Sequence, residues 1–253
     1  VMNRAGFGDL LSKPFSQADW LLSHIVRGVP YSDEAASLLD IPWRRMLDGA
    51  EGIGVGDADA IEVLLETLLI SGFSMAIAGT SAPASGAEHL ISHYWDMEQH
   101  CQELPIRGLH GTQVGIGTLV SAYTLNKLVA VTPEAFADLV ARPTSKHANW
   151  VDGIGPQHPS LTPDVIAEVQ AQLRDKERHG DARHRELSAL SEQWADVRKQ
   201  LNEVLLSPLE MMRALDAAGC PRRGSELNVT QDEFVRPVRV CRHIRSRYTN
   251  FDL

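Results

Sequence analysis

The sequence predicts an all-α fold, one helical bundle over residues 1–253. Three observations lead there. Nearly every segment repeats apolar residues at the three-to-four spacing of a helix face, and no stretch alternates as a half-buried strand does. Helix-opening signals recur at Ser32, Thr132-Pro133-Glu134, Thr162-Pro163-Asp164, Ser207-Pro208 and the pair Thr230 and Glu233. Each puts a hydroxyl, a proline or an acid where the first turn has free N–H groups. The connections are short, as between packed antiparallel helices.

Taken in order, residues 6–13 (Gly-Phe-Gly-Asp-Leu-Leu-Ser-Lys) read as a glycine-rich turn. Residues 15–26 form a helix with Ser16 as its cap, Asp19 near its start and Gly28 past its end. Ser32 caps a helix over 33–47. Gly49, Gly52, Gly54 and Gly56 then make a connector; a nucleotide loop is disfavoured because no strand precedes it and the Gly-x-Gly-x-x-Gly spacing is not met. Residues 57–77 form a long helix, bent near Gly72 and buried because most of its faces are apolar. A helix bearing His89 and His93 follows, then a loop through Pro105, a helix from His110 to about Lys127 and a short one from Thr132. Prolines at 143, 156, 159 and 163 mark 142–163 as loop, in which His147, Trp150 and His158 are surface or packing residues. Residues 162–206 are expected as a solvated helical hairpin, inserted into the bundle. Its inner stripe is Leu187, Leu190, Trp194, Val197 and Leu201, with His179 and His184 exposed. Two more helices run from Ser207 to Gly219 and onward from Thr230.

Composition narrows the function. With 43% hydrophobic and 23% charged residues, a chain of 253 residues can bury a substantial core. A net charge of -9 argues against non-specific nucleic-acid binding and against anionic membrane surfaces. The longest apolar stretch, 61–78, carries Glu62 and Glu66, so no membrane span is expected. Cys101, Cys220 and Cys241 are odd in number and lie in no metal-binding spacing, which fits a reducing, cytoplasmic setting. The chain opens on Val1 without a leader-like segment and is expected to be part of something longer.

The chemistry gathers in three places. His89 and His93 sit four apart and project from one side of their helix, with Ser85, Glu88, Ser92 and Asp96; Leu90, Ile91, Tyr94 and Trp95 fall on the other. His110 stands where a loop becomes a helix, beside Gly111, Gly115 and Gly117, which allow close backbone approach. Asp9 adds a carboxylate near the start. One carboxylate and two imidazoles with an open fourth position are the ligand set of a catalytic zinc-type site. A solvated helix face shows the same polar stripe, and His-x-x-x-His lacks the glutamate that makes His-Glu-x-x-His specific. On the residues alone, both readings stand.

Three ordered motifs then add a resemblance. Residues 5–20, the Ser-rich turn leading into Glu88-His89 and His93, and His110-Gly-Thr-Gln-Val-Gly-Ile-Gly-Thr118 resemble the C-terminal domain of glycerol-1-phosphate dehydrogenases. These belong to the superfamily of glycerol dehydrogenase, iron-containing alcohol dehydrogenases and dehydroquinate synthase. The likeness runs from Ala5 to Asp252 and is weakest over 142–202. It implies a helical bundle of the dehydroquinate synthase-like C-terminal type, whose partner, a Rossmann-like domain gripping the nicotinamide, is absent from these residues. It also implies a metal held by Asp9, His89 and His110, zinc first, with nickel or iron accepted by the same donors. The implied reaction is NAD(P)-linked interconversion of dihydroxyacetone phosphate and sn-glycerol 1-phosphate, run by a homo-oligomer, with these residues alone inactive and the cofactor-binding residues unidentified. His93, one turn beyond His89, is placed to bind a substrate hydroxyl and relay its proton, the catalytic role. Ser85 at a helix start and Lys13 are the candidate holders of the substrate's phosphate.

Departures from the superfamily's patterns sharpen the assignment. Thr112 stands where the family usually has a glutamate, which bears on metal affinity from behind the ligands. No Arg or Lys lies between Gly72 and Glu103, unlike the dehydroquinate synthase branch, and glycerol dehydrogenase spaces its two histidines more closely. The alternatives are another polyol dehydrogenase of the superfamily, or a non-catalytic helical module that binds a partner.

Overall fold

In a computed structural model, residues 1–142 and 150–253 are described; His147 lies outside them. Among these residues the elements are helices and no strand occurs, the all-α architecture expected of a dehydroquinate synthase-like C-terminal domain.

At the centre, helix α1 (Met2–Leu11) crosses α8 (His110–Val129) at backbone contact. A Cβ on Gly8 would stand 2.3 Å from the carbonyl oxygen of Gly111, and one on Gly111 only 1.9 Å from that of Ala5. No other residue leaves room for such a crossing. The stretch 6–13 is therefore helix, not the turn expected from its glycines; they serve packing rather than chain reversal. Helix α2 (Lys13–Arg27) starts two residues earlier than expected, with Pro14 in its first turn. Ser16 is not its cap: its hydroxyl donates to the carbonyls of Lys13 and Pro83, tying α2 to the 3₁₀ turn Ala82–Ala84.

The helix expected over 33–47 breaks into α3 (Asp33–Ser37) and α4 (Asp40–Asp48). Pro42 is the reason, since it has no N–H for the carbonyl of Leu38. The expected connector around Gly52 is instead helix α5 (Ala50–Val55). There Gly54 lies so near α12 (Pro208–Ala217) that a Cβ would meet the Ala217 carbonyl oxygen at 2.5 Å.

Helix α6 (Ala58–Ala78) overturns an expectation outright. It runs unbroken through Gly72 and is not buried: Leu65, Leu69, Phe73 and Ile77 are each more than half exposed. Its inner face is the polar one. Thr67 donates to the Pro42 carbonyl at 3.2 Å and Ser74 to that of Ala35 at 2.6 Å. Among the described residues it is the one single helix long and apolar enough to cross a membrane by length and composition.

Helices α7 (Ala87–Cys101), α9 (Pro133–Val140), α10 (Pro163–Lys176), α11 (Gly180–Val204) and α13 (Gln231–Val240) complete the set. They feed two core clusters. In the larger, Phe7, Leu11, Phe15 and Leu125 pack with the α11 stripe Leu190, Trp194, Val197 and Leu201. Trp194 stacks on Phe136 at 4.7 Å. The smaller gathers Tyr94, Trp95, Val169, Leu173 and Val240. The two helices of 162–206 thus pack into different clusters. His184 is exposed as expected, His179 is half-buried, and His158 is fully buried against the Tyr94 hydroxyl at 2.9 Å. The chain end folds back over the start of α7: Asn250 donates through its backbone N–H (2.7 Å) and its amide (2.9 Å) to Asp19 of α2.

Candidate metal centre

Three elements deliver one candidate ligand each. Asp9 stands in the last turn of α1, His89 in the first turn of α7, and His110 is the first residue of α8. The glycine crossing of α1 on α8 brings Asp9 to His110, and α7 packs on α8 through Gly117, where a Cβ would meet the Glu88 carbonyl oxygen at 2.5 Å. The Asp9 Oδ1 atom lies 3.2 Å from His89 Nε2 and 4.0 Å from His110 Nε2. One ligand atom from each of the three residues falls within 4.8 Å of the other two. Tetrahedral ligands on zinc at about 2.0–2.1 Å stand about 3.4 Å apart, so the donor set fits a divalent cation with little adjustment.

Hydrogen bonds behind the imidazoles fix which nitrogen faces inward. The Nδ1 of His89 lies 2.9 Å from Glu88 Oε1 and its Nε2 lies 3.2 Å from Asp9 Oδ1; carboxylates only accept, so each nitrogen turns an N–H to one of them, and a cation would take the place of the Nε2 proton while Glu88 keeps the one on Nδ1. For His110 the inference takes one more step. Ser92 donates its only hydroxyl proton to Gln113 Oε1 at 2.7 Å. Its oxygen must therefore accept from His110 Nδ1, 3.0 Å away, leaving the Nε2 of His110 free. Gln113 is oriented in turn by donating to Asp96 at 2.9 Å. Such support commonly accompanies metal-binding imidazoles.

Burial pushes the Asp9 carboxyl up, but Lys13, the hydrogen bond from His89 and the neighbouring imidazole charges outweigh it and hold the acid well below the carboxylate range. Burial pulls His89 down, yet its hydrogen bonds to Asp9 and Glu88 leave it above its ordinary value. His110 is lowered by burial and then by His89. His93 is pushed down to about 4, by burial first and then by His110 and His89.

The remaining expected residues divide. His93 stacks beside His110, ring centroids 5.3 Å apart, and has no hydrogen bond of its own among the described residues. With Asp96 and His110 it forms a second group of similar ligand spacing, though Asp96 is already engaged by Gln113. His93 and Ser85 both line a cavity of about 630 Å³. Lys13 does not. Its buried ammonium lies 3.4 Å from Asp9 Oδ2 and 3.1 Å from the Ala84 carbonyl, behind the carboxylate. Residues the sequence did not single out matter as much. Glu88 lies on the polar stripe expected to meet solvent or ligand, and is fully buried beneath His89. Asp19, Ser92, Gln113, Arg245 and Arg247 went unassigned; the one available signal, polar residues 13, 16, 19 and 23 at helical spacing on α2, looks the same whether solvated or buried.

No protein-family model matches the chain. Similar curated proteins do exist, several of them named glycerol-1-phosphate dehydrogenase [NAD(P)+]. The glycerol-1-phosphate dehydrogenase [NAD(P)+] of Pyrococcus furiosus is 42% identical over 119 residues, 47% of this chain and 33% of that protein. Those of Staphylothermus marinus and Aeropyrum pernix are 41% identical over 120 residues and 42% over 125. Over that half, this chain is similar to the C-terminal portion of glycerol-1-phosphate dehydrogenases. It spans about a third of the length of the relatives it matches. At the position where the resemblance expects a glutamate, Thr112 turns its hydroxyl back within the first turn of its own helix, donating to the Leu109 carbonyl at 2.6 Å. The polar support of His110 comes from Ser92 and Gln113 instead.

Proposed function

We propose that this chain is the metal-binding part of an NAD(P)-linked oxidoreductase that interconverts dihydroxyacetone phosphate and sn-glycerol 1-phosphate. The observation that carries the reading is the convergence of Asp9, His89 and His110, with Nε2 of each imidazole on the Asp9 side and Nδ1 held from behind by Glu88 or Ser92. A divalent cation bound there, zinc on this reading, supplies Lewis-acid polarisation of a substrate carbonyl and favours the alcohol's loss of a proton in reverse. The chain's own residues do the rest. Asp9 stays ionised because Lys13 and the imidazoles favour its charge. Neutral His93, one turn from His89 and open to the cavity, holds the substrate hydroxyl and takes up its proton at a ring nitrogen. Both names among the relatives and the donor set support this over a purely structural bundle, which has no use for two oriented imidazoles. The native partner set is then a small phosphorylated substrate, a nicotinamide held outside the described site, and further copies of the chain in the cytoplasm.

Zinc titration of the chelator-stripped protein by calorimetry tests the reading. One equivalent is expected to bind, and His110→Ala to abolish it without unfolding the chain, since that side chain is 43% exposed. The complete gene product is expected to oxidise NADH or NADPH when given dihydroxyacetone phosphate. A protein that takes up no divalent ion removes the basis of the proposal.

A further inference from the structure

The cavity beside His93 carries a charge pattern the metal centre does not explain. Four arginines line it, Arg27, Arg178, Arg245 and Arg247, in a chain whose net charge is -9. Two of them are neutralised within the fold. Arg27 lies 3.1 Å from Glu186 and over the Tyr248 ring, and Arg178 approaches the same Glu186 at 3.8 Å. The other two make no ion pair among the described residues, though the charges of Glu88 and Asp19 are felt at Arg247. The half-buried Arg247 is pinned by donating to the Ser85 carbonyl and, at 2.7 Å, to the Ser81 hydroxyl oxygen. Neither partner carries charge, and the Ser81 O–H is left free to donate. Arg245 is exposed and has no hydrogen bond or ion pair among the described residues. Both guanidinium groups bear on His93, whose ring lies 6.1 Å from that of His89. His93 is the link: its ring neighbours those of His89 and His110, and it lines the same cavity as these two arginines.

We infer that Arg245 and Arg247, with the Ser81 and Ser85 hydroxyls, seat the phosphate dianion of the substrate and thereby select a phosphorylated triose over free glycerol. This deepens the proposed function and rests on it for the identity of the substrate, but not for the anion site. A guanidinium fork matches phosphate oxygens in a bidentate way, and a cavity wall of low dielectric strengthens the attraction. Arg247 is positioned in advance by its two neutral contacts, so little freedom is lost on binding. The assignment displaces Lys13 from the phosphate role, since its ammonium is already engaged by Asp9 and the Ala84 carbonyl.

The test is binding of inorganic phosphate, sn-glycerol 1-phosphate and glycerol to the zinc-loaded protein, followed by phosphorus NMR and calorimetry. Arg245→Gln is the working variant, because an exposed side chain without partners can be exchanged without unfolding the chain. Lys199→Gln on α11, exposed and distant, controls for net charge. Arg245→Gln is expected to weaken phosphate and glycerol 1-phosphate about tenfold or more, leaving glycerol and zinc stoichiometry unchanged; Lys199→Gln is expected to change nothing. Equal binding by wild type and Arg245→Gln, or an equal loss in Lys199→Gln, overturns the inference. The two proposals separate cleanly. Phosphate binding that depends on Arg245 in a protein that cannot reduce dihydroxyacetone phosphate keeps the anion site and removes the dehydrogenase reading. Reduction of that substrate with an unchanged KM in Arg245→Gln keeps the dehydrogenase and removes the site.

Discussion

Exchanging Asp19 for Asn probes the joint that holds the start of α7, and with it His89, against the chain end. Asp19 is 1% exposed; Oδ1 accepts from the Asn250 backbone and amide, and Oδ2 from the Ala87 N–H at 2.7 Å. Burial, then the charge of Glu88, pushes its pKa up from 3.8 to about 7 against the pull of those three donors. The folded protein therefore keeps a proton that the unfolded chain gives up. The sign follows: this stabilisation is fully present below about pH 4 and is lost as pH climbs toward 7. At about 1.4 kcal/mol per unit, roughly three units give about 4 kcal/mol in all, of which about 3 kcal/mol falls between pH 5 and 8. Asparagine keeps the acceptor for Asn250 but turns an N–H₂ toward the Ala87 N–H, a cost of about 1–3 kcal/mol that does not vary with pH. Urea denaturation of both proteins at pH 5, 6, 7 and 8, with chelator present, isolates the group because other titrations cancel in the difference. The stability advantage of the wild type is expected to shrink by about 3 kcal/mol over that range. A difference that stays flat with pH refutes the reasoning, because Asp19 would then be ionised in the folded state throughout.

Gly111→Ala forces a Cβ to within 1.9 Å of the Ala5 carbonyl oxygen, so α1 must shift off α8; scanning calorimetry is expected to show a loss of at least about 1–3 kcal/mol, and zinc binding to weaken with it. Glu88→Gln removes the charged acceptor behind His89 Nδ1, and competition against a zinc-chelating dye is expected to show a 10- to 100-fold weaker site. His93→Gln is expected to leave zinc affinity intact while lowering kcat for dihydroxyacetone phosphate reduction about 10²- to 10⁴-fold; an equal fall in metal affinity would instead make His93 a ligand. Trp194→Ala, emptying a fully buried site stacked on Phe136, is expected to cost about 3–5 kcal/mol in urea denaturation.

Where the sequence was legible, the interaction was local. The Ser32 hydroxyl accepts from Ala35 N–H at 3.1 Å, that of Thr132 from Ala135, and Ser207 and Thr230 close capping boxes with Glu210 and Glu233. Each device spans three residues, so the chain carries it whatever lies around it. The inner stripe of α11 was legible too, because a strongly charged opposite face leaves one side to bury. Helix α6 was opaque for the converse reason: apolar nearly all round, it does not say which side faces the protein, and its few small polar residues turned inward. Gly8 and Gly54 read as turn residues, since a glycine demanded by a backbone crossing looks in one dimension like one demanded by a bend.

By itself, then, the sequence determined that the chain is helical, where most helices begin, and which acid and imidazoles are available to a cation. Only the tertiary structure decided that Glu88, Ser92 and Gln113 orient those imidazoles, that Lys13 stands behind Asp9, and that arginines from the chain's last residues reach the cavity beside His93. The reason is physical. Capping and helical period are set by neighbours a few residues apart, whereas burial, and the pairing or stranding of a charge, depend on whichever distant element comes to rest against it.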